Sequence, residues 1–333
     1  MKITIIGGSG FIGTELTRQL LEAGQDVRIV DKADSAIYSP RRVAADVRDV
    51  NSLRAALKGT DLLYNLAAEH KDNVTPRTLY HEVNVDGARN VCRLAEELHI
   101  DRMVFTSSVA VYGFALPDTD EAGILNPYND YGCSKAESET IYRTWVNAGR
   151  GRSLTIVRPT VVFGPRNRGN VYNLIRQMSS GRFIMIGSGT NIKSMAFVEN
   201  VASFLRYVSD RPPGDYLFNY VDKPDLSMNE LVHLVRKSLG KAERMPFRIP
   251  ERVGYIGGKL FDGVGSLLGR EFSISGIRVK KFCATTQFRS SRIDQLGFKS
   301  PVPLRDALER TIYYEFLSGQ DHDTTLQPTF QSE

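Results

Sequence analysis

The sequence predicts an α/β fold, a doubly wound parallel sheet with a smaller C-terminal portion that holds a substrate. Three observations predict it. Short apolar runs alternate with stretches of helical spacing through the first half of the chain. A glycine-rich turn, Gly7-Gly8-Ser9-Gly10-Phe11-Ile12-Gly13, joins the first apolar run to the first helical stretch. A carboxylate, Asp31, closes the second run.

Taken in order, Lys2-Ile3-Thr4-Ile5-Ile6 has the composition of a buried parallel strand. From Phe11, Leu16, Leu20 and Leu21 recur at helical spacing, and Gly24 stops the helix. Gly8, Gly10 and Gly13 satisfy G-x-G-x-x-G, and Gly7, Gly10 and Gly13 the looser G-x-x-G-x-x-G. Glycine there allows positive φ and the close backbone approach that a pyrophosphate requires. The helix start at Phe11 and Ile12 supplies free N–H groups and a positive dipole end. Val27-Arg28-Ile29-Val30-Asp31 is the next strand. Its Asp31 stands where a carboxylate accepts hydrogen bonds from ribose hydroxyls and repels a 2′-phosphate. That favours NAD over NADP, with the adjacent Lys32 softening the exclusion.

Asp61 to Leu66 reads as a strand ending in the small residues Ala67-Ala68, and Asn84 to Leu98 as a helix. Arg102 to Ser108 and Ser153 to Pro159 read as further strands. After Gly164-Pro165 the pattern loses regularity, and prolines at 212, 213, 246, 250, 301 and 303 punctuate it. The expected division is a dinucleotide-binding Rossmann domain over 1–165, with one return near 195–208. The substrate portion takes 166–194 and 209–316, and 317–333 is a polar, flexible tail. No internal repeat is present.

Composition excludes several classes. Forty-three basic and 38 acidic residues leave a formal charge of +5 in 333 residues. No dense Lys/Arg run with interleaved aromatics marks a nucleic-acid partner. The mild basic excess suits an anionic substrate. Cys92, Cys133 and Cys283 lack metal-ligand spacing and are expected to be free thiols in a reducing, cytoplasmic setting, with no metal. The chain enters its first strand at once, which reads as no signal peptide. No apolar run is long enough to span a bilayer. Tyr255 to Leu268 mixes glycine with apolar residues; a core-facing helix explains it more simply than a peripheral membrane role.

The chemistry is carried by Tyr131-Gly132-Cys133-Ser134-Lys135. Tyr131 and Lys135, at i and i+4, share a helix face. A tyrosine with a pKa of about 10 is a poor base until a neighbouring ammonium favours its phenolate. Such a pair can move a proton, and the lysine can also hold a nicotinamide ribose. Ser108 closes a strand at the sheet edge where such folds place their chemistry, and its hydroxyl can hold the reacting substrate oxygen. Alone, the Tyr–Lys pair fits a solvated helix face, and Ser107-Ser108 fits a helix cap. In register with the glycine turn they favour catalysis. Cys133 is read as a small core residue.

These motifs together resemble the extended short-chain dehydrogenase/reductase proteins, in the NAD-dependent epimerase/dehydratase group that acts on nucleotide sugars. The markers are Gly7 to Gly13, Asp31, Asp46-Val47, Leu66-Ala67-Ala68, Asn84, Ser107-Ser108, Val111-Tyr112-Gly113, Tyr131 to Lys135, Arg158-Pro159 and Gly164-Pro165. The resemblance spans Met1 to about Phe316. It implies that Asp46, Val47, Leu66, Ala67, Ala68, Asn84 and Pro159 join the glycine turn, Asp31, Tyr131 and Lys135 around NAD. It also implies a homodimer.

Against the family pattern, Val109-Ala110 stands where sugar 4,6-dehydratases carry Asp-Glu, so dehydration is not expected. Val109 also stands where an epimerase-reductase branch carries Cys. Arg168-Gly169-Asn170-Val171-Tyr172 resembles a stretch that holds the substrate diphosphate or base, which makes Asn170 a candidate. Lys193 stands at a phosphate-binding arginine position, and Arg278, near Lys280 and Lys281, is a second candidate contact. Val161 replaces an Asn found in many UDP-sugar epimerases. The expected activity is epimerisation of a nucleotide sugar at C4, through transient oxidation of a secondary alcohol and return of the hydride to the opposite face. The alternatives are a dehydrogenase or ketoreductase of a nucleotide sugar or another secondary alcohol, sterol-like ones included, and a non-catalytic NAD-binding scaffold or sensor.

Overall fold

The five expected strands and a further short one form neighbours in the computed structural model, which describes residues 1–71, 74–181, 183–242, 247–257, 259, 276–318 and 329–330. They are β1 (Lys2–Ile6), β2 (Asp26–Asp31), β3 (Arg42–Ala44), β4 (Leu62–Asn65), β5 (Arg102–Thr106) and β6 (Ser153–Pro159). All pair in parallel, in the spatial order β3-β2-β1-β4-β5-β6. Because side chains alternate across a strand, Ile3 and Ile5 enter one core and Ile6 another. Helix α1 (Phe11–Glu22) covers the first core with Leu16 and Leu20. Helix α2 (Val50–Leu57) covers the second with Leu53 and Ala56.

The helix expected from Asn84 begins earlier. A short turn, α3 (Thr78–Tyr80), runs through a π-helical turn at His81–Asp86 into α4 (Gly87–Glu97). Asn84 lies inside the π turn, a distortion common at functional sites. Helix α5 (Asp130–Ala148) lies beside α4, and its Tyr142 and Trp145 complete the second core.

Past β7 (Val161–Phe163), α6 (Asn170–Ser179) and β8 (Met185–Ile186), the chain returns to the sheet. Strand β9 (Ile192–Phe197) leads into α7 (Val198–Val208), whose Val201, Phe204 and Leu205 pack beside α1. The sequence pattern ended this return near residue 208. The pairing carries it further, because β10 (Gly214–Tyr220) lies parallel to β6 as the seventh strand. The Pro212-Pro213-Gly214 break precedes a strand here instead of closing the unit.

Strand β11 (Asp222–Ser227) pairs with β9, and β9 with β7. Helix α8 (Met228–Ser238) packs a third core of Phe163, Ile175, Met195, Leu231, Val235 and Leu308. The two units are tied at buried Asp222. Its carboxylate accepts from the Phe197 N–H, Asn200, the Tyr220 hydroxyl and Ser300. Strand β12 (Arg248–Ile249) pairs with β8, and the stretch 251–257 is helical.

Three expectations change. Val253, Tyr255 and Ile256 are exposed, so the described part of that apolar stretch does not face a core; 258 and 260–268 lie outside the described residues. Cys133 is exposed, although its neighbours Gly132 and Ser134 are buried. In the tail, 319–328 and 331–333 lie outside the described residues, but Phe330 is held. Its N–H donates to the Arg166 carbonyl at 2.8 Å, its carbonyl accepts from the Arg168 N–H at 2.6 Å, and its ring lies 5.6 Å from that of Phe11.

Candidate active site

The strand order reverses between β1 and β4, and a crevice opens there at the strands' C-terminal ends, as in other open α/β sheets. A cavity of about 570 Å³ runs from this point to the start of α6. At its floor Gly7 has φ +77°, and a Cβ there would sit 2.6 Å from the Ala67 nitrogen. A Cβ on Gly13 would meet the Gly7 carbonyl oxygen at 2.5 Å. Only glycine allows the turn to pass so close to the end of β4. The N-cap of α1 is Gly10, with no side-chain cap and no acid in the first turn. The helix N-terminus at Phe11 and Ile12 therefore faces the cavity with N–H groups for an anion.

Asp31 ends β2 against this turn. Its Oδ2 accepts the Ser9 N–H at 3.0 Å and its Oδ1 the Ala33 N–H at 2.9 Å. Each oxygen keeps lone-pair capacity toward the cavity for a diol. Lys32, Asp46 and Val47 line the same end. The Arg48 fork grips Asp46 at 2.7 and 3.1 Å and holds its carboxyl below the usual range. Leu66, Ala67 and Ala68 form the opposite wall, where Asn65 Oδ1 accepts the Ala67 N–H. A cradle that a Cβ would fill, an uncapped helix start and a strand-end acid fit NAD.

Farther along lie Ser108, Tyr131, Lys135 and Pro159. Asn129 caps α5 by accepting the Gly132 N–H at 2.9 Å, which fixes where the helix starts and hence where Tyr131 stands. A Cβ at Gly132 would come 2.6 Å from the Ala110 carbonyl, so the helix start and the turn after Ser108 are pressed together. Ser108 caps that turn by accepting the Ala110 N–H at 3.1 Å. Lys135 is buried; its ammonium donates to the Thr106 carbonyl at 2.8 Å and lies 4.8 Å from the Phe105 ring centroid. Burial pushes its pKa down to about 7, with the Glu139 carboxylate opposing the shift.

Some residues are not where the sequence reading put them. Asn84 does not line the cavity. It is buried behind the wall, accepting the Glu69 N–H and donating to the Glu69 carbonyl and the Ser134 hydroxyl. It braces the loop after β4 against α5. Lys193 does not line the cavity either. Its ammonium donates to the carbonyls of Lys281 at 3.0 Å and Ala284 at 2.6 Å, capping the helix at Gly276–Cys283. Burial brings its pKa down to about 8. The Arg278 side chain lies outside the described residues. Asn170 does line the cavity, at the first position of α6.

A scan against family descriptions matches residues 3–217 to the NAD dependent epimerase/dehydratase family. This chain belongs to that family. Among curated relatives, the N-acetyl-α-D-glucosaminyl-diphospho-ditrans,octacis-undecaprenol 4-epimerase of Escherichia coli O157:H7 is 45% identical, covering 98% of both chains. The UDP-glucose 4-epimerase of Vibrio cholerae is 28% identical, over 93% of this chain and 94% of its own. Among solved structures, MoeE5 in complex with UDP-glucose and NAD superposes with a TM-score of 0.74 at 24% identity, covering 94% of this chain and 98% of that one. The last likeness carries the fold. NAD is the cofactor of this enzyme, as its family and the fit of its cavity require.

Within the epimerase/dehydratase frame, the sequence reading missed a buried ion pair. Glu139 accepts the Arg158 Nε–H at 2.7 Å and the Ser107 hydroxyl at 2.5 Å. Arg158 donates at 2.6 Å to the Tyr112 hydroxyl, which donates at 2.7 Å to Asn219. This chain of bonds fixes the strand end bearing Ser108 against the helix bearing Lys135. The signal was present: Glu139 is one turn beyond Lys135, and Arg158 is a charge inside an apolar strand. Phe114, Tyr128, Lys281 and Phe288 also line the cavity and were not expected there. They come from the loop before α5 and from the helix at Gly276–Cys283 with the segment after it, which meet only in the folded chain.

Proposed function

We propose that this protein is an NAD-dependent epimerase that inverts C4 of a sugar carried on a diphosphate, the group that nucleotide sugars share with polyprenyl-linked sugars. One observation carries the reading. Ser108, Tyr131 and Lys135 line the same cavity as the glycine turn, while the positions after Ser108 are the aprotic Val109 and Ala110. Among the described residues, the carboxylates lining the cavity are Asp31 and Asp46, both at the end that holds the glycine turn. Among these residues no lining carboxylate stands near Ser108 to expel water from the sugar, so alcohol oxidation and its reversal remain.

NAD supplies the acceptor and donor of the hydride. The chain's own groups do the rest. Tyr131 takes the proton from the C4 hydroxyl, and Ser108 hydrogen-bonds the same oxygen. Lys135 sets the charge beside Tyr131 and holds the nicotinamide ribose. Asn170, at the uncapped start of α6, and Lys281 face the other end of the cavity and suit a diphosphate. Inversion requires that the diphosphate stay gripped while the oxidised sugar turns over between them.

For the carrier, the 45% identity over 98% of both chains supports a polyprenyl diphosphate bearing an N-acetylhexosamine. A nucleotide sugar is the second reading, supported by the Vibrio relative. A homodimer and a cytoplasmic location complete the proposal; among the described residues no helix is long and apolar enough to cross a membrane. The test uses N-acetylglucosaminyl diphosphate on a short polyprenol, and UDP-N-acetylglucosamine, each deuterated at C4. Inverted product that keeps its deuterium, without accumulating NADH, is expected. Accumulating NADH and free ketone would establish a dehydrogenase, and deuterium lost to water would exclude hydride chemistry.

A further inference from the structure

The most exposed large apolar side chains of the loop between β5 and α5 are Leu116 and Ile124, 81% and 87% exposed. Beside β12, Phe247 is 74% exposed, and Val253 and Ile256 are exposed in the helical stretch 251–257. The helix at Gly276–Cys283 joins the two groups. On one side a Cβ at Gly254 would lie 3.6 Å from Val279. On the other, Lys280 Nζ lies 5.0 Å from the Phe114 ring and Lys281 Nζ 5.4 Å from the Tyr128 ring. These two rings stack at 4.6 Å. Phe114, Tyr128 and Lys281 line the cavity, so both apolar groups belong to segments that adjoin its wall.

Charge favours one occupant. Arg252, Lys259 and Lys280 are exposed in these segments, against the exposed carboxylates Asp118 and Glu251. Separate apolar side chains with cations between them match the boundary of an anionic bilayer, where chains insert below the headgroups and ammoniums meet phosphates. A second copy of the chain laid on this face would cover the entrance. A polyprenyl diphosphate leaves its sugar at headgroup depth and its hydrocarbon in the acyl layer. An enzyme that takes that sugar must bring its cavity mouth to the same depth.

We propose that this face docks on an anionic phospholipid surface, with Leu116, Ile124, Phe247, Val253 and Ile256 inserted and Arg252, Lys259 and Lys280 at the phosphates. The proposal rests on the polyprenyl reading of the carrier. The full-length protein should co-sediment with phosphatidylcholine vesicles that contain phosphatidylglycerol, and less with phosphatidylcholine alone. Ile124→Asp combined with Phe247→Asp should weaken that partition roughly 30-fold, because two inserted side chains are lost. Leu116→Asp alone should weaken it less. Both variants should keep wild-type thermal unfolding and wild-type turnover of the short-chain substrate in detergent. Wild type that ignores vesicles, or variants that bind them as well as wild type, would overturn the docking. So would variants that only shift the protein from dimer to monomer, which would make the face a contact between copies. Turnover of the polyprenyl substrate without vesicle binding would overturn the docking and leave the substrate reading standing. Vesicle binding that is lost in the variants, with turnover of the nucleotide sugar alone, would do the reverse.

Discussion

The two ends of the cavity are built differently. At the cofactor end, most wall residues lie at the end of a parallel strand or in the turn and helix start that follow it: Gly7 to Gly13 after β1, Asp31 and Lys32 at β2, Leu66 to Ala68 after β4. At the substrate end the walls include Ser194 of β9, Lys281 of the helix at Gly276–Cys283, and Thr286 and Phe288 beyond that helix, brought together from distant parts of the chain. Strand-end residues have positions dictated by a few neighbours in sequence. Residues at the substrate end have positions dictated by whatever elements arrive from far along the chain. The first kind is readable from spacing, whereas the second is not, and Lys193 shows the consequence: its charge is right for a diphosphate, yet it is spent on a helix end.

Four substitutions test this contrast, from the largest expected effect down. Tyr131→Phe should keep NAD, measured by release of bound cofactor on denaturation, and lose turnover by about 10²–10⁴-fold, the usual contribution of a positioned acid–base group. Turnover near wild type would remove Tyr131 from the chemistry and leave the cofactor end as binding machinery alone.

Lys135→Met should change how stability depends on pH in the cofactor-free protein. Burial holds the folded pKa of Lys135 near 7, below its ordinary 10.5. Between those values the unfolded chain binds more protons, so this group makes wild-type stability rise with pH, with its full penalty present below 7. The variant lacks that slope. Wild type should gain on it by about 2 kcal/mol between roughly pH 7 and pH 9, read by urea unfolding. Parallel curves would mean that the ammonium is not desolvated in solution.

Asp31→Ala should weaken NAD about tenfold and narrow the discrimination against NADP, because one carboxylate both binds the diol and repels a 2′-phosphate. Calorimetric titration of both cofactors reads this directly, and an unchanged preference would place the discrimination elsewhere. The smallest effect belongs to Lys193→Met. Loss of a helix C-terminal cap should cost about 1 kcal/mol of stability while KM moves less than about threefold. A tenfold rise in KM with unaltered stability would instead put Lys193 on the diphosphate and erase the contrast between the two ends.

The sequence by itself determined the sheet, the glycine turn, the acid at β2 and the Tyr131–Lys135 face. Each depends on periodicity or on contacts within a few residues, which the order of residues encodes directly. The departures have long-range causes. β10 joins the sheet because β6 offers an unpaired edge, although a Pro-Pro-Gly break suggested that the unit had ended. Asn84 braces a wall because a π turn aims it at Glu69 and Ser134. Phe330 reaches Phe11 from the far end of a chain whose tail composition reads as loose. Cys133 and Ile256 face outward because exposure depends on which neighbouring element arrives to cover a helix face. Only the tertiary structure decides that, since burial is a property of pairs of surfaces and a sequence specifies one surface at a time.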